Sequence, residues 1–347
     1  MDTEIFDSCF FRLKDPNRMG ITWEITNRCN LRCLHCCTSA TLQDIPGQLS
    51  LNESLELVEQ IAATGQFDIY ISGGEPFIFD GIITIIRLIT LRGMGLGIAT
   101  NGTLITEELA YKLSDLGVNM IHVSLDGATP DIHDAMRGSN GAFMGAIQGI
   151  KWLVKAQVPV RVGHVITTES LATVGTFVDL VQSLGVDKII FSTPQPTGRA
   201  RMNLIGQLNT RTVHNTLNEL KDKTSVRMIY RRNNSLLLPL GYCPGGSKVF
   251  HINANGDVHP CSWLAKVDRR YCLGNVKKEP FSRIKENNQA LRRMLESRFH
   301  HQLCKNCELT SQCYRGCPAV AALDGNTVQG IDSLCPKVVE VEQESKT

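Results

Sequence analysis

Cys29, Cys33 and Cys36 stand close together in the stretch ITWEITNRCNLRCLHCCTSA, spaced C-x3-C-x2-C. Thiolates are the usual ligands of iron–sulfur clusters, and a [4Fe–4S] cube normally takes four. Three leave one iron without a protein ligand, and an open iron can bind a small molecule. A zinc knuckle or a redox thiol pair is the other chemistry that this spacing allows. In either case the thiols must be held by a rigid element if they are to converge. The β-branched and aromatic run Ile21, Thr22, Trp23, Ile25, Thr26 supplies one: it reads as a strand that enters the cysteine loop directly.

The elements that follow repeat one arrangement. Ser50 caps a helix over 51–63, with Glu53 completing a capping box. FDIYISGGEP is a strand ending in a glycine turn, and a helix over about 81–92 follows it. GLGIATNG, NMIHVSLDG, VPVRVGHVIT and DKIIFSTPQP are four further strands. Helices capped by Thr106, over 142–156 and over 171–184, separate them. Six strand–helix units imply a parallel sheet, and six fit a partial (β/α)6 TIM-like barrel. A Rossmann sheet is the alternative, but no G-x-G-x-x-G follows the first strand. In a barrel the chemistry gathers at the C-terminal ends of the strands. The unusual residues stand there: the cysteine loop, Gly73-Gly74-Glu75-Pro76, Asn101, and Ser124 with Asp126.

Together these motifs resemble the radical SAM superfamily. C-x3-C-x2-C resembles the signature whose open iron holds the amino and carboxylate groups of S-adenosylmethionine (SAM). The resemblance implies that one electron from the cluster splits the sulfonium and leaves a 5′-deoxyadenosyl radical, which removes a substrate hydrogen. GGEP at 73–76 is similar to the family's motif of that form, with Glu75 an acceptor for a cationic amine. Asn101 in ATNGT and Ser124 and Asp126 in SLDG match positions that line SAM. HDAMRGSNGAF resembles the stretch that follows, and its Arg137 is a candidate to grip the SAM carboxylate through two hydrogen bonds. QPTGRA also matches the family, with Gly198 a turn near the adenine.

A second cysteine zone begins at Cys243. Cys261 follows Gly256 by five residues, and Cys304, Cys307, Cys313 and Cys317 read C-x2-C-x5-C-x3-C, with Cys335 closing the set. This order resembles the SPASM extension, which binds two auxiliary [4Fe–4S] clusters, so the resemblance implies three clusters in all. It assigns Cys304, Cys307, Cys313 and Cys335 to the distal auxiliary cluster and Cys243, Cys261 and Cys317 to the proximal one. The proximal cluster is then one ligand short. Cys272 is a spare thiol: a fourth ligand, a free hydrogen donor, or a buried apolar cysteine. Cys37 lies outside the three-cysteine pattern, and Cys9 has no partner by spacing. His35 and Trp23 read as packed side chains.

Composition sets the remaining bounds. The chain has 347 residues, 42% of them hydrophobic, and a formal net charge of +2. That charge gives no electrostatic reason to expect nucleic acid. No apolar run is long enough for a membrane span, and the acidic start lacks a secretory h-region. Thirteen cysteines without an export signal argue for metal ligation and a cytoplasmic enzyme. The reading divides the chain into a lead-in over 1–20, a barrel over 21–200, a linker and helix over 201–240, an auxiliary-cluster domain over 241–340 and a tail over 341–347. Basic clusters at Arg227, Arg231 and Arg232 and at Arg292, Arg293 and Arg298 read as solvated faces or as contacts for an acidic or phosphorylated partner.

The family resemblance implies a flavodoxin- or ferredoxin-type electron donor. It also implies a substrate that is either a ribosomal peptide, crosslinked, oxidised or epimerised, or a small molecule such as a sugar, nucleoside or tetrapyrrole. About 20 residues precede the first strand, too few for a winged-helix peptide-binding domain. A peptide substrate would then need a separate carrier protein or an exposed strand edge. A non-enzymatic iron–sulfur carrier is the third reading. The GGEP and SLDG motifs argue against it, since a carrier needs no SAM pocket.

Overall fold

In the computed structural model, the residues described are 18–203, 208, 210–231, 243–286, 288, 304, 307, 317–323, 327, 328, 330 and 335. Cys9, Cys313, Arg232, Arg292, Arg293 and Arg298 lie outside them.

One ten-stranded sheet organises the chain. Seven strands run parallel and in chain order: β1 (Met19–Thr26), β2 (Phe67–Gly73), β3 (Gly95–Thr100), β4 (Met120–Ser124), β5 (Val160–Val165), β6 (Lys188–Ser192) and β7 (Arg227–Arg231). Side chains alternate across a strand, and β1 divides cleanly. Ile21, Trp23 and Ile25 join the apolar core, while Thr22, Glu24 and Thr26 occupy the opposite face. The core-facing row continues through Ile69, Ile71 and Ile98 and packs against α1 (Leu51–Thr64) and α2 (Ile82–Leu91). Each fully buried leucine, isoleucine or valine there contributes about 1.5–3 kcal/mol. The opposite face is the cup in which a partial barrel holds its chemistry. The expectation of a partial α/β barrel is therefore met, with β7 added to the six consecutive strands read from the sequence.

The expected capping box is present. Ser50 N–H donates to Glu53 Oε2 at 2.7 Å and Glu53 N–H donates to Ser50 Oγ at 3.3 Å. Two elements differ from the sequence reading. The expected helix over 171–184 is two helices, because Thr167 and Ser170 form a capping box that starts α6 (Thr168–Ala172) before α7 (Val174–Ser183) begins. A helix between α3 (Glu107–Asp115) and α5 (Ala142–Lys155) was not expected. This is α4 (Pro130–Arg137), which opens on a proline and is stopped by Gly138 at φ +63°. The other helices of the barrel half are α8 (Gly198–Met202) and α9 (Thr210–Lys221).

The auxiliary half joins the same sheet. β8 (Val249–Ile252) pairs parallel with the free side of β1, and β9 (Asp257–His259) and β10 (Gly274–Asn275) follow antiparallel. Short helices α10 (Leu264–Val267), α11 (Phe281–Glu286) and α12 (Pro318–Leu323) complete the described part. Phe281 stacks edge-on against Phe67 at 5.7 Å and Phe250 at 5.7 Å, tying the two halves through apolar contact. The sheet is open, with β7 at one end and β10 at the other. No helix among the described residues is long and apolar enough to cross a membrane.

Candidate active site

The loop leaving β1 gathers Cys29, Cys33 and Cys36. The first two are 8% exposed and the third half-buried. The backbone is pinned on both flanks. Cys29 N–H donates to Thr41 O at 2.8 Å, and Arg32 and Leu34 N–H donate to the last turn of α4 at Arg137 O and Met136 O. Donors also point at the sulfurs. Leu31 N–H lies 3.4 Å from Cys29 Sγ, Arg137 Nη1 lies 3.7 Å from Cys33 Sγ, and Asn101 Nδ2 lies 4.0 Å from Cys29 Sγ. Such contacts favour the ionised thiolate that a metal requires. Without a metal, burial pushes the Cys29 thiol up to about 11. Burial raises Cys33 as well, with Arg137 opposing.

The segment at 197–199 holds this loop from the other side. Arg199 donates from Nε to Cys33 O at 2.7 Å and from Nη1 to Ala40 O at 2.8 Å, while its backbone N–H donates to Cys36 O at 2.9 Å. Gly198 has φ +55°, and a Cβ there would sit 2.5 Å from Cys36 O and 2.6 Å from Cys37 O. The residue expected as a turn near adenine thus packs against the cysteine loop itself. Gly198→Ala is expected to lower folding stability by about 1–3 kcal/mol. Urea unfolding measures this, and an unchanged midpoint would show that the loop yields freely.

The GGEP turn closes the ends of β1 and β2 onto each other. Gly74 N–H donates to Thr26 O and Glu75 N–H to Arg28 O, each at 2.7 Å. A Cβ on Gly73 would lie 2.3 Å from Thr26 O, and one on Gly74 2.1 Å from Arg28 O. The Glu75 carboxylate accepts from Asn101 N–H at 2.8 Å, Thr100 Oγ1 at 2.8 Å and Phe77 N–H at 3.2 Å. Burial pushes it up to about 7 against these donors. Asn101 is held in turn by Asn30 Oδ1 at 2.8 Å and by the Thr103 hydroxyl at 2.6 Å.

Ser124 ends β4 half-buried, and Asp126 lies two residues beyond it, fully buried. Its carboxylate meets Arg137 Nη2 at 2.7 Å and His35 Nε2 at 3.4 Å, and accepts from Val165 N–H at 2.9 Å. Burial alone would raise this carboxyl. Arg137 and His35 outweigh burial and hold it well below the usual carboxylate range. Burial pushes His35 down to about 4, so it is a neutral packed ring, as its sequence context implies. Arg137, expected to grip the SAM carboxylate, divides its guanidinium between Asp126 and Cys33. Its Nε is buried with no hydrogen-bond partner, as are Arg199 Nη2 and His35 Nδ1. Unpaired buried donors are rare in proteins. Two of them, Arg137 Nε and Arg199 Nη2, beside the three thiols fit a site whose remaining acceptors belong to a bound anionic group.

Sequence reasoning missed a second polar cluster, at the seam between the halves. Glu24 Oε1 lies 2.5 Å from Lys266 Nζ and 3.7 Å from His251 Nε2, and His251 Nδ1 lies 2.7 Å from Thr22 Oγ1. Burial works against the Glu24 charge, but Lys266 and His251 keep its carboxyl below the usual range. Burial pushes His251 down to about 4. Cys37 faces the same cluster. Desolvation pushes its thiol up to about 11, with Lys266 opposing. The one signal available was Glu24 itself, an acid alternating with Trp23 and Ile25 in an otherwise apolar strand.

In the auxiliary half, Cys243 precedes β8, Cys261 follows β9 and Cys317 precedes α12. Cys261 and Cys317 pack around Leu264, Tyr271, Ala319 and Val328. Cys304, Cys307 and Cys335 are half-buried, and Cys307 N–H donates to Cys304 O. The Cys272 thiol donates to Gly274 O at 3.2 Å.

Comparison with known proteins agrees with this geometry. The radical SAM superfamily profile matches residues 23–181, and an iron–sulfur cluster-binding (SPASM) domain profile matches 243–308. An AdoMet-dependent heme synthase of Methanosarcina barkeri is 28% identical over 324 residues, 87% of this chain and 91% of that protein. Mycofactocin maturase MftC of Mycobacterium tuberculosis is 28% identical over 326 residues, 91% of this chain and 82% of that protein. Streptococcus suis SuiB bound to S-adenosylmethionine shares the fold at a TM-score of 0.75, with 15% identity, over 91% of this chain and 76% of that one. Native anSMEcpe with bound AdoMet does so at 0.70, with 18% identity, over 95% and 97%. The chain belongs to the radical SAM superfamily and carries a C-terminal SPASM iron–sulfur domain.

Proposed function

We propose that this enzyme reductively cleaves SAM and uses the resulting radical to remove hydrogen from a ribosomal peptide, crosslinking, oxidising or epimerising it. The observation that carries the reading is the packing of Cys29, Cys33 and Cys36 together on one pinned loop, beside Glu75, Asn101 and Asp126 at the same rim of the sheet. Cys29, Cys33 and Cys36 would hold the SAM-binding [4Fe–4S] cluster. Cys243, Cys261 and Cys317, and Cys304, Cys307, Cys313 and Cys335, would hold two auxiliary clusters. When bound, the first cluster supplies the electron that opens the SAM sulfonium.

The protein's own residues position and insulate this chemistry. Arg199 and the GGEP turn fix the loop. Arg137 places a positive charge against Cys33 Sγ, and Asp126 holds that guanidinium in place. Glu24 and Lys266 put a charged pair on the cup face of β1, where substrate must lie to reach the rim. Gly73, Gly74 and Ser124 remain candidates for SAM contact through backbone and hydroxyl. A flavodoxin- or ferredoxin-type protein would supply electrons.

Two features support a peptide. Among the described residues the sheet is open between β7 and β10, which offers an extended chain a strand edge on the side of the cup. Likeness to mycofactocin maturase extends over nearly the whole chain. The heme synthase likeness carries the second reading, a small-molecule substrate of the tetrapyrrole kind. Anaerobic incubation with SAM and dithionite tests the shared chemistry. 5′-Deoxyadenosine is expected, and its absence from cluster-loaded protein would overturn the enzyme reading. Mass spectrometry of a short peptide encoded beside the gene then separates the substrates. Loss of hydrogen from the peptide supports the first reading, whereas an unchanged peptide with turnover of an iron porphyrin replaces it by the second.

A further inference from the structure

Apart from the cysteine sets, one corner of the auxiliary half brings together three different ligand types. Asp257 and His259 are two residues apart on β9, so their side chains leave the same face. Cys272 ends the turn at 269–271 that leads into β10, and the antiparallel β9–β10 pair folds it back onto them. A carboxylate oxygen, a ring nitrogen and the thiol sulfur all lie within 4.8 Å of one another. Asp257 and His259 are 8% and 3% exposed.

The surroundings are those of a held ligand set. Asn275 Nδ2 donates to Asp257 Oδ1 at 2.8 Å and Asn255 Nδ2 to Oδ2 at 3.0 Å, which orients the carboxylate and leaves lone pairs on both oxygens. Ligating carboxylates are commonly braced in this way. His259 Nδ1 is buried and makes no hydrogen bond of full geometry, the ring meeting the Tyr271 backbone only weakly. Its other nitrogen lies 3.4 Å from Asn253 Nδ2.

We propose that Asp257, His259 and Cys272 bind one divalent transition-metal ion of the zinc type, separate from the iron–sulfur clusters. A mixed oxygen, nitrogen and sulfur set suits zinc, whereas calcium and magnesium prefer oxygen alone. Three protein ligands leave a fourth position for water, reached past the half-buried Cys272. The ion neutralises a thiolate and a carboxylate that would otherwise repel. It also ties β9 to the segment entering β10, at the last edge of the sheet.

The test uses the cluster-loaded holoprotein, exposed anaerobically to one equivalent of zinc sulfate and freed of unbound metal. About one zinc per chain is expected, with X-ray absorption showing a single sulfur at about 2.3 Å and nitrogen or oxygen at about 2.0–2.2 Å. Cys272→Ala and His259→Ala should each release the zinc while iron content and cluster EPR stay unchanged. No retained zinc, or zinc with two or more sulfurs, overturns the proposal on the wild-type protein alone. A Cys272→Ala protein that keeps its zinc overturns it, and so does one whose auxiliary-cluster EPR changes. The latter result would make Cys272 a ligand of the proximal cluster.

Discussion

Alanine at Cys33 is expected to abolish SAM cleavage, and alanine at Cys29 or Cys36 to do the same. On the proposed assignment each would remove one of three protein ligands from a cube that leaves one iron open. Cys33→Ala should in addition disturb the loop itself, because Cys33 is the most heavily supported of the three. Its sulfur faces Arg137, and its carbonyl accepts from Arg199. Losing the thiolate leaves a buried guanidinium with one partner fewer. Cys37→Ala should be milder, since Cys37 faces Lys266 and Glu24 at the seam. Quantifying 5′-deoxyadenosine under dithionite, with iron content measured on the same samples, checks the series. If Cys37→Ala destroyed cleavage while Cys36→Ala did not, the ligand assignment would be one residue out of register.

The second large effect is on stability. Arg137→Leu should destabilise the fold by about 3–5 kcal/mol, because it strands the Asp126 carboxylate in the interior without its partner. The pH dependence gives the sign. In the native chain Asp126 has a depressed pKa. The pair's contribution is therefore full above the unfolded carboxylate range and is lost only as pH falls through the depressed value. In the variant, burial acts unopposed by Arg137 and raises the pKa, so protonation relieves the strain. The gap between native and variant should narrow as pH falls from 7 to 5. Urea unfolding at the two pH values measures it, and a gap that widened on acidification would show that Arg137 does not carry the Asp126 charge.

What was legible in the sequence follows from how the information is written. Cysteine spacing, GGEP and SLDG are local patterns, and the apolar periodicity of β1 and α1 fixes the face each buries. The rim of the sheet could therefore be listed residue by residue. The seam could not. Glu24 meets Lys266 and His251 across more than two hundred residues, through a parallel pairing of β1 with β8 that no local pattern encodes. β7 escaped for a related reason. RMIYR is short, carries charge at both ends and lies within what reads as a linker. Gly198 was read as a turn near the adenine; its near neighbours in the fold are the carbonyls of Cys36 and Cys37, a contact visible only once the loop is folded.

The most direct test of the account is iron bound by the β1 loop. Anaerobically reconstituted protein should hold roughly 12 iron atoms per chain, at four per cluster. The triple variant Cys29→Ala, Cys33→Ala, Cys36→Ala should hold roughly eight and lose the EPR change that SAM produces in the reduced native protein. A triple variant that kept its full iron and its response to SAM would contradict the assignment of this loop as the site of SAM chemistry.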